Sequence, residues 1–380
     1  MKILFYLSLI GIIYTYFGYP LLMVAFSKLK KQKPIKKGEF TPFISIVIPA
    51  YNEEKSIGAK LNEILSLNYP KVKMEVMVIS DASTDKTDEI ISGFLNRGVK
   101  LFRMDKRSGK IAAYRKVFPL LKGEIIVFSD ATSILSLDSV INLISNFNDE
   151  TVGCAGGVLT YVNPKQANVG KGEKKYWSYE KRILELESNL CSLLSVSGTF
   201  YAVRKELYPQ NMKDDLADDL IVPFNVRKNG KRIVLDNQAI CKDFTTLSIK
   251  EEMNKRIRIT VQNIRGLLDQ VDILNPFKYG LYSILAISHK LFRLLVPIFL
   301  LLLFITSMFL SLHSIIFLLI FISQIIFYFS GLIGYQVNKK IKFSLGNALS
   351  YFCLSNLAIA IGIIKFFEGE KVVTWETVRT

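Results

Sequence analysis

Apolar residues fall into runs of two lengths along this chain. Residues 3–26, 291–312, 315–336 and 343–366 form long, nearly unbroken runs, each enough to cross about 30 Å of hydrocarbon as a helix. Between them the apolar runs shorten to strand length and alternate with amphipathic segments. The first short run is FISIVIPA at 43–50. β-branched residues dominate it, as in a strand covered on both faces of a parallel sheet. It stops at Pro49 and empties into the polar turn Tyr51-Asn52-Glu53-Glu54.

The pattern that follows alternates strand and helix. A helix is expected over 56–67, with Ile57, Leu61, Ile64 and Leu65 on one face. A strand over 74–79 ends at Ser80-Asp81, and a helix over 85–95 follows, with Thr84 or Asp85 as its cap. A strand over 99–103, a helix over 110–121 and a strand over 124–129 that ends at Asp130 complete the series. Such alternation predicts βαβ units and a parallel sheet. Beyond it come a helix over 139–147, a strand over 153–161, a long helix over 176–194 and a strand over 200–203. The acidic run Asp214-Asp215-Leu216-Ala217-Asp218-Asp219 precedes a helix over 220–229 and a strand over 231–235. A basic amphipathic helix over 249–268 leads back to the apolar runs.

The organisation read from this pattern is an amino-terminal transmembrane helix (1–27), a basic linker (28–41) and an α/β domain (42–248). Amphipathic interfacial helices (249–290), about three transmembrane helices (291–367) and a tail (368–380) follow. Half of the 380 residues are hydrophobic and the net charge is +16. Lys28, Lys30, Lys31, Lys33, Lys36 and Lys37 cluster behind the first run, which points to the inner face of a membrane and to anionic headgroups. Those hydrophobic neighbours account for the lysines, so no nucleic-acid partner is expected. The first run is longer than a signal-peptide core and lacks a small-x-small cleavage site, so it reads as a retained span. The localisation expected is the inner membrane, multi-pass, with the α/β domain cytoplasmic. Placing Lys290, Arg293, Lys339, Lys340 and Lys342 inside sends the last run outward with its tail. Lys365, Lys371 and Arg379 favour the opposite side, and the sequence leaves the two open. Cys154, Cys191, Cys241 and Cys353 are scattered and there are two histidines, which argues for packed, reduced thiols and against a zinc site.

In open parallel sheets ligands bind at the carboxyl ends of strands, and three expected strands end in acidic or polar turns. Asp130 is poorly placed for core packing and well placed for a hard cation, which often takes one or two carboxylates plus substrate phosphates; a turn cap is the plainer reading. Asp81 either closes a turn through Asx-type hydrogen bonds or accepts from a nucleobase. Asp218 and Asp219 suit the dipole of the next helix, yet two adjacent carboxylates exceed what a cap needs. Crowding and burial raise a carboxylate pKa, which suits a general base. Arg256, Arg258, Gln262 and Arg265 on the basic helix match phosphate geometry or lie on lipid phosphates.

VIPAYNEE at 47–54, SDASTDKT at 80–87, RSGKIAAY at 107–114, FSDAT at 128–132, SGTFYAVRKELY at 197–208 and LADDL at 216–220 occur in one order. Together they resemble a membrane-bound glycosyltransferase of family 2, similar to cellulose-synthase-like and hyaluronan- or poly-N-acetylglucosamine-synthase-like enzymes. The resemblance covers 43 to about 268. It implies an α/β GT-A domain, a Rossmann-like nucleotide-diphospho-sugar transferase fold, flanked by transmembrane helices.

The resemblance also implies roles. Pro49, Ala50, Tyr51 and Glu53 hold the nucleotide, Asp81 contacts uracil and Lys110 lies near the nucleotide. Asp130 binds the metal-diphosphate, with Mg²⁺ or Mn²⁺ as cofactor. Thr132 stands where the family carries a second Asp, so the ligand there is weaker and neutral. Asp219 matches the base and Asp218 the Glu position before it. Gln262 and Arg265 match the start of a Gln-x-x-Arg-Trp motif, and Gly266 replaces its Trp, which removes a stacking platform for the acceptor sugar. The implied activity is inverting transfer from a nucleotide-sugar, a UDP-sugar by preference, to a glycan or lipid-linked acceptor in cell-surface polysaccharide or glycolipid synthesis. A catalytically silent membrane subunit that binds a partner synthase is the second reading.

Overall fold

The computed structural model describes residues 1–29, 33–162, 170–244, 249–337, 344–371 and 373–374. Lys30, Lys31, Lys339, Lys340, Lys342 and Arg379 lie outside the described residues. The chain opens with α1 (Lys2–Ile13) and α2 (Tyr19–Leu29), joined through a wider helical turn. The α/β half then runs β1 (Ile44–Ala50), α3 (Ile57–Ser66), β2 (Met74–Ser80), α4 (Thr87–Ser92), β3 (Val99–Arg103), α5 (Lys110–Val117) and β4 (Ile125–Ser129). It continues as β5 (Ile134–Leu135), α6 (Ser139–Ser145), β6 (Val152–Val162), α7 (Gly170–Leu190), β7 (Phe200–Arg204), α8 (Asp218–Lys228), β8 (Arg232–Phe244) and α9 (Ile249–Asp269). After α10 (Pro276–Tyr279) and α11 (Leu281–Leu285) come α12 (Phe292–Ser311), α13 (Ile315–Val337) and α14 (Ser344–Phe367).

The described strands make one sheet of order β3-β2-β1-β4-β7-β6-β8-β5. β1, β2, β3 and β4 are parallel, as the alternation predicts. β7 departs from it by running antiparallel to β4. The start of β7 therefore lies beside the end of β4, with Phe200 opposite Ser129. β8 extends well past the expected strand and pairs with the short β5, which the sequence pattern did not announce.

Both faces of the sheet are covered. Ile46, Ile48, Val78 and Val127 pack under α3 and α6. Val47, Ile79, Phe128 and Tyr201 pack under α5 and α8. This is why β1 carries no polar alternation. A third core ties the membrane helices to the domain through Tyr19, Met23, Ile183, Leu190, Phe224, Tyr282 and Leu285. Buried charges cross the same junction in pairs. His289 lies between Glu187, 2.5 Å from Nδ1, and Glu180, 2.8 Å from Nε2. Arg293 donates to Glu180 at 2.7 Å, and the Tyr19 hydroxyl to Glu187 at 2.6 Å. Burial alone would raise the Glu180 carboxyl, but Arg293 and His289 hold it well below its usual range. Charges removed from water persist when paired in this way.

Among the described residues three helices are long and apolar enough to cross a membrane, Lys2–Leu29, Leu281–Ser311 and Leu349–Phe367. The second starts ten residues before the expected boundary, because the helix runs on through Lys290. α14 lies alongside α9. Tyr351 donates to Glu252 at 3.3 Å, a Cβ at Gly362 would stand 2.7 Å from that of Thr260, and Arg265 covers the Phe366 ring. Arg265 then donates to the Glu370 carbonyl at 2.9 Å. The start of the tail thus rests against α9. An impermeant thiol reagent is expected to label Thr374→Cys and the exposed position Glu206→Cys from the same membrane face. Labelling from opposite faces would refute this arrangement.

Candidate functional site

The carboxyl ends of β1, β2 and β4 form one edge. Ala50 and Ser80 are directly paired, and Asp81 donates its N–H to the Ala50 carbonyl at 2.9 Å. Pro49 and Ala50 are buried inside β1. The turn after them is held by cross-links to the next strand end. Asn52 adopts a left-handed conformation, φ +54°, which its short polar side chain tolerates. Its side-chain oxygen accepts from the Thr84 N–H at 2.7 Å, and its own N–H donates to Ser83 Oγ. Glu53 is buried; its N–H donates to Thr87 Oγ1, and its carboxylate accepts from Ser56 Oγ at 2.5 Å. Tyr51 faces outward, with the Arg107 guanidinium 3.9 Å above its ring centroid.

Asp81 is fully buried. Its two oxygens accept from the Ser108 N–H (2.7 Å) and the Gly109 N–H (2.9 Å). It therefore shapes the loop that starts α5, at Gly109, whose φ of +90° favours glycine. The Val373 carbonyl lies where a Cβ at Gly109 would stand, so the tail reaches this strand edge.

Lys110, the first residue of α5, points into the centre of the site. Its ammonium is 3.5 Å from Asp130 Oδ1 and 3.6 Å from Asp218 Oδ2, and it donates to the Gly198 carbonyl at 3.0 Å. Burial would lower the Lys110 pKa, but Asp218, Asp130 and Asp219 outweigh it and hold the ammonium charged. Asp218 is buried and accepts from Tyr201 Oη at 2.7 Å. Phe128 stacks on Tyr201 at 4.8 Å and fixes that hydroxyl. Both acids lie in the first turn of α8, inside the helix that the sequence started at 220.

Asp219 differs from its neighbour. Its carboxylate has no hydrogen-bond donor among the described residues, and it stands against Gly198, where a Cβ would meet Oδ2 at 3.4 Å. Burial and the adjacent Asp218 push its pKa up to about 6, against the pull of Lys110. Asp218 is thus committed to Tyr201 and Lys110, while Asp219 is left basic and open, as a general base requires.

The basic helix rearranges the expected roles. Arg265 is spent on Asp215, at 3.0 Å, and on the tail carbonyls of Gly369 and Glu370. Arg256 is paired with Glu252. Arg258, one turn before Gln262, is the guanidinium that lies in the field of Asp219, Asp130 and Asp218, and burial lowers its pKa. It has no hydrogen-bond or ion-pair partner among the described residues. Its i, i+4, i+7 spacing with Gln262 and Arg265 was visible in the sequence; which of the three turned inward was not.

Asp130 keeps an open carboxylate, with 37% of its side chain exposed, and the hydroxyl of Thr132, two residues on, has no hydrogen-bond partner among the described residues. Among the described residues no group of three acidic, histidine or cysteine side chains is arranged to hold a metal. The oxygen donors present fit a hard cation held by Asp130, Thr132 and the phosphates of a bound substrate, rather than a cage built from protein alone.

Residues 45–210 match the family model described as glycosyl transferase family 2. A beta-monoglucosyldiacylglycerol synthase of Nostoc sp. is 28% identical over 220 residues, covering 56% of this chain and 47% of that relative. A poly-beta-1,6-N-acetyl-D-glucosamine synthase of Staphylococcus epidermidis is 25% identical over 221 residues, covering 57% and 53%. The chain therefore spans about half the length of the curated relatives it matches. A mannosyltransferase from Pyrobaculum calidifontis, solved with GDP-Man and Mn²⁺, superposes with a TM-score of 0.73 at 19% identity, covering 97% of this chain and 100% of that one. That likeness shows the fold, the GT-A architecture expected from the motifs.

The geometry makes a direct prediction about Asp219. Carboxyl-carbon NMR should show it titrating near pH 6. Asp218→Asn removes the neighbouring charge and should move the titration to lower pH. An unmoved titration would leave burial as the sole cause.

Proposed function

Residues 45–210 form a glycosyltransferase family 2 domain, and we propose that the chain uses it to move a sugar, with inversion, from a nucleotide-sugar to a glycan or lipid-linked acceptor at a membrane surface. The observation that carries this reading is the Asp219 carboxylate, without a hydrogen-bond donor among the described residues and raised to about 6 beside the Lys110–Asp130–Asp218 cluster. Tyr51 and Arg107 wall the nucleotide side of the edge. Asp81, through the 108–109 loop it shapes, sets the nucleobase end, and a UDP-sugar is the donor we favour.

In the proposed reaction Asp219 removes the proton from the acceptor hydroxyl. The hydroxyl oxygen attacks the anomeric carbon, the bond from that carbon to the diphosphate oxygen breaks, and the nucleoside diphosphate leaves with the bonding electrons. Lys110 and Arg258 face the negative charge that develops on the leaving group, which is stabilisation by pre-placed charge. Asp218 keeps Lys110 in position rather than acting as a second base. Asp130 and Thr132 would hold Mg²⁺ or Mn²⁺, which supplies Lewis-acid charge to the diphosphate.

The residue after Arg258 is Ile259 and the residue after Arg265 is Gly266. A Cβ at Gly266 would already stand 2.8 Å from Leu220 Cδ2, so no indole fits there. Neither arginine is followed by an aromatic platform, which supports addition of a single sugar over polymer formation. The basic linker and the apolar helices support a multi-pass inner-membrane protein with its α/β domain facing the cytoplasm. Relatives that act on a glycolipid and on a polysaccharide support both acceptor classes.

Asp219→Asn is expected to lower sugar transfer by about 10²–10⁴-fold while donor binding, read by calorimetry, is retained. Near-normal turnover would remove Asp219 as the base. The base acts when deprotonated, so kcat in the unmodified chain should fall tenfold per unit as pH drops below about 6 and level off above it. Assays against UDP-, GDP- and TDP-sugars, with and without Mn²⁺, should yield turnover with UDP-sugars that EDTA abolishes. Turnover with GDP-sugars alone would overturn the assignment of the nucleobase end.

A further inference from the structure

Lys60 is a charged side chain in the apolar core, and nothing in the reaction described above uses it. It sits in α3 among Ile57, Leu61 and Ile64, is 2% exposed, and belongs by position to the face that packs on the sheet. A lysine there has a cost that leucine would avoid. Its ammonium spends its three donors on one side. They reach the Ser133 carbonyl at 2.8 Å, Ser133 Oγ at 3.1 Å and Glu63 Oε1 at 2.9 Å. Ser133 passes the restraint on. Its hydroxyl donates to the Asp130 carbonyl at 2.9 Å, and its N–H points to the same oxygen at 3.4 Å. Ser129 Oγ lies 3.2 Å from Ser133 Oγ. The other end of the turn is tied by the Asp130 N–H, which donates to the Thr199 carbonyl at 3.1 Å.

We propose that Lys60 is a positioning residue for the divalent cation, its buried ammonium holding the 130–133 turn in the shape that presents Asp130 and Thr132 together. The proposal rests on the reading of Asp130 as a metal ligand. The turn offers one carboxylate and one neutral hydroxyl, so a rotation of the turn costs a larger share of the protein's grip than it would with two carboxylates. An anchor beneath the turn compensates for that. Burial pulls the Lys60 ammonium below its ordinary pKa, and Glu63, at the edge of the core, opposes the pull. Groups that orient metal ligands from behind commonly change metal affinity by about 10–100-fold when removed.

The test uses the full chain in detergent, with Mn²⁺ binding in the presence of saturating UDP followed by electron paramagnetic resonance, and melting and kinetics measured alongside. Lys60→Met is expected to weaken Mn²⁺ binding by about 10–100-fold, to leave kcat near that of the unmodified chain once Mn²⁺ saturates, and to leave the donor KM unchanged there. Lys60→Arg, which keeps a buried donor cation, should recover most of the affinity. If Lys60→Met does not fold, Ser133→Ala deletes the hydroxyl shared by Lys60 and the Asp130 carbonyl and should weaken binding in the same assay. Unchanged Mn²⁺ affinity in a folded Lys60→Met or Ser133→Ala chain overturns the proposal while leaving Asp130 as a ligand. Binding in Asp130→Ala equal to that of the unmodified chain overturns the metal reading, and the role of Lys60 with it.

Discussion

One ammonium organises the centre of this molecule. Lys110 stands within 3.6 Å of carboxylates from two separate elements, Asp130 at the end of β4 and Asp218 at the start of α8. Without it those acids, with Asp219 beside them, would place three like charges at one sheet edge, and the edge would either protonate or open. With it Asp218 is held against Tyr201, and Asp219 alone is left with a raised pKa. The asymmetry between two adjacent aspartates is therefore a product of their partners rather than of their type.

That arrangement requires β7 to run antiparallel to β4. The reversal brings the 197–199 segment beside Asp130, supplies the Gly198 carbonyl to Lys110 and makes room for Asp219 at Gly198. The membrane half approaches the same place. Lys290 donates to Ser195 Oγ at 2.7 Å, and the Val196 N–H donates to the Asp219 carbonyl at 3.0 Å. The segment beside Asp219 is thus braced from the apolar helices, near the Glu180–His289–Glu187 cluster that clamps those helices to α7.

Much of the fold was legible. β1 through β4 and the helices between them follow from runs of β-branched residues and from helical spacing, because each run must bury both faces or one face. β5 was not legible, since two residues carry no period. The reversal at β7 was not legible either, since strand direction is a property of the sheet. In the site, Asp130 and the Asp218-Asp219 pair were visible as acids at strand and helix ends, and Lys110 through the motif resemblance. Asp81 was visible too, but its carboxylate is occupied by the Ser108 and Gly109 N–H groups, which only folding brings to it. Arg265 carries the expected role through its Gln-x-x-Arg spacing, whereas Arg258 lies in the field of the carboxylates, and which arginine of that face turns toward them depends on how α9 packs against α8 and α14.

By itself, then, the sequence determined which segments are apolar enough for a bilayer, which form a sheet and which acids stand at its edge, because periodicity and composition are local. The tertiary structure alone decided which acid stays basic, which arginine lies in its field, where the tail rests and what a buried Lys60 bonds to. Each of those depends on a partner distant in the chain, and a carboxylate's proton affinity or a lysine's burial has no meaning until that partner is in place.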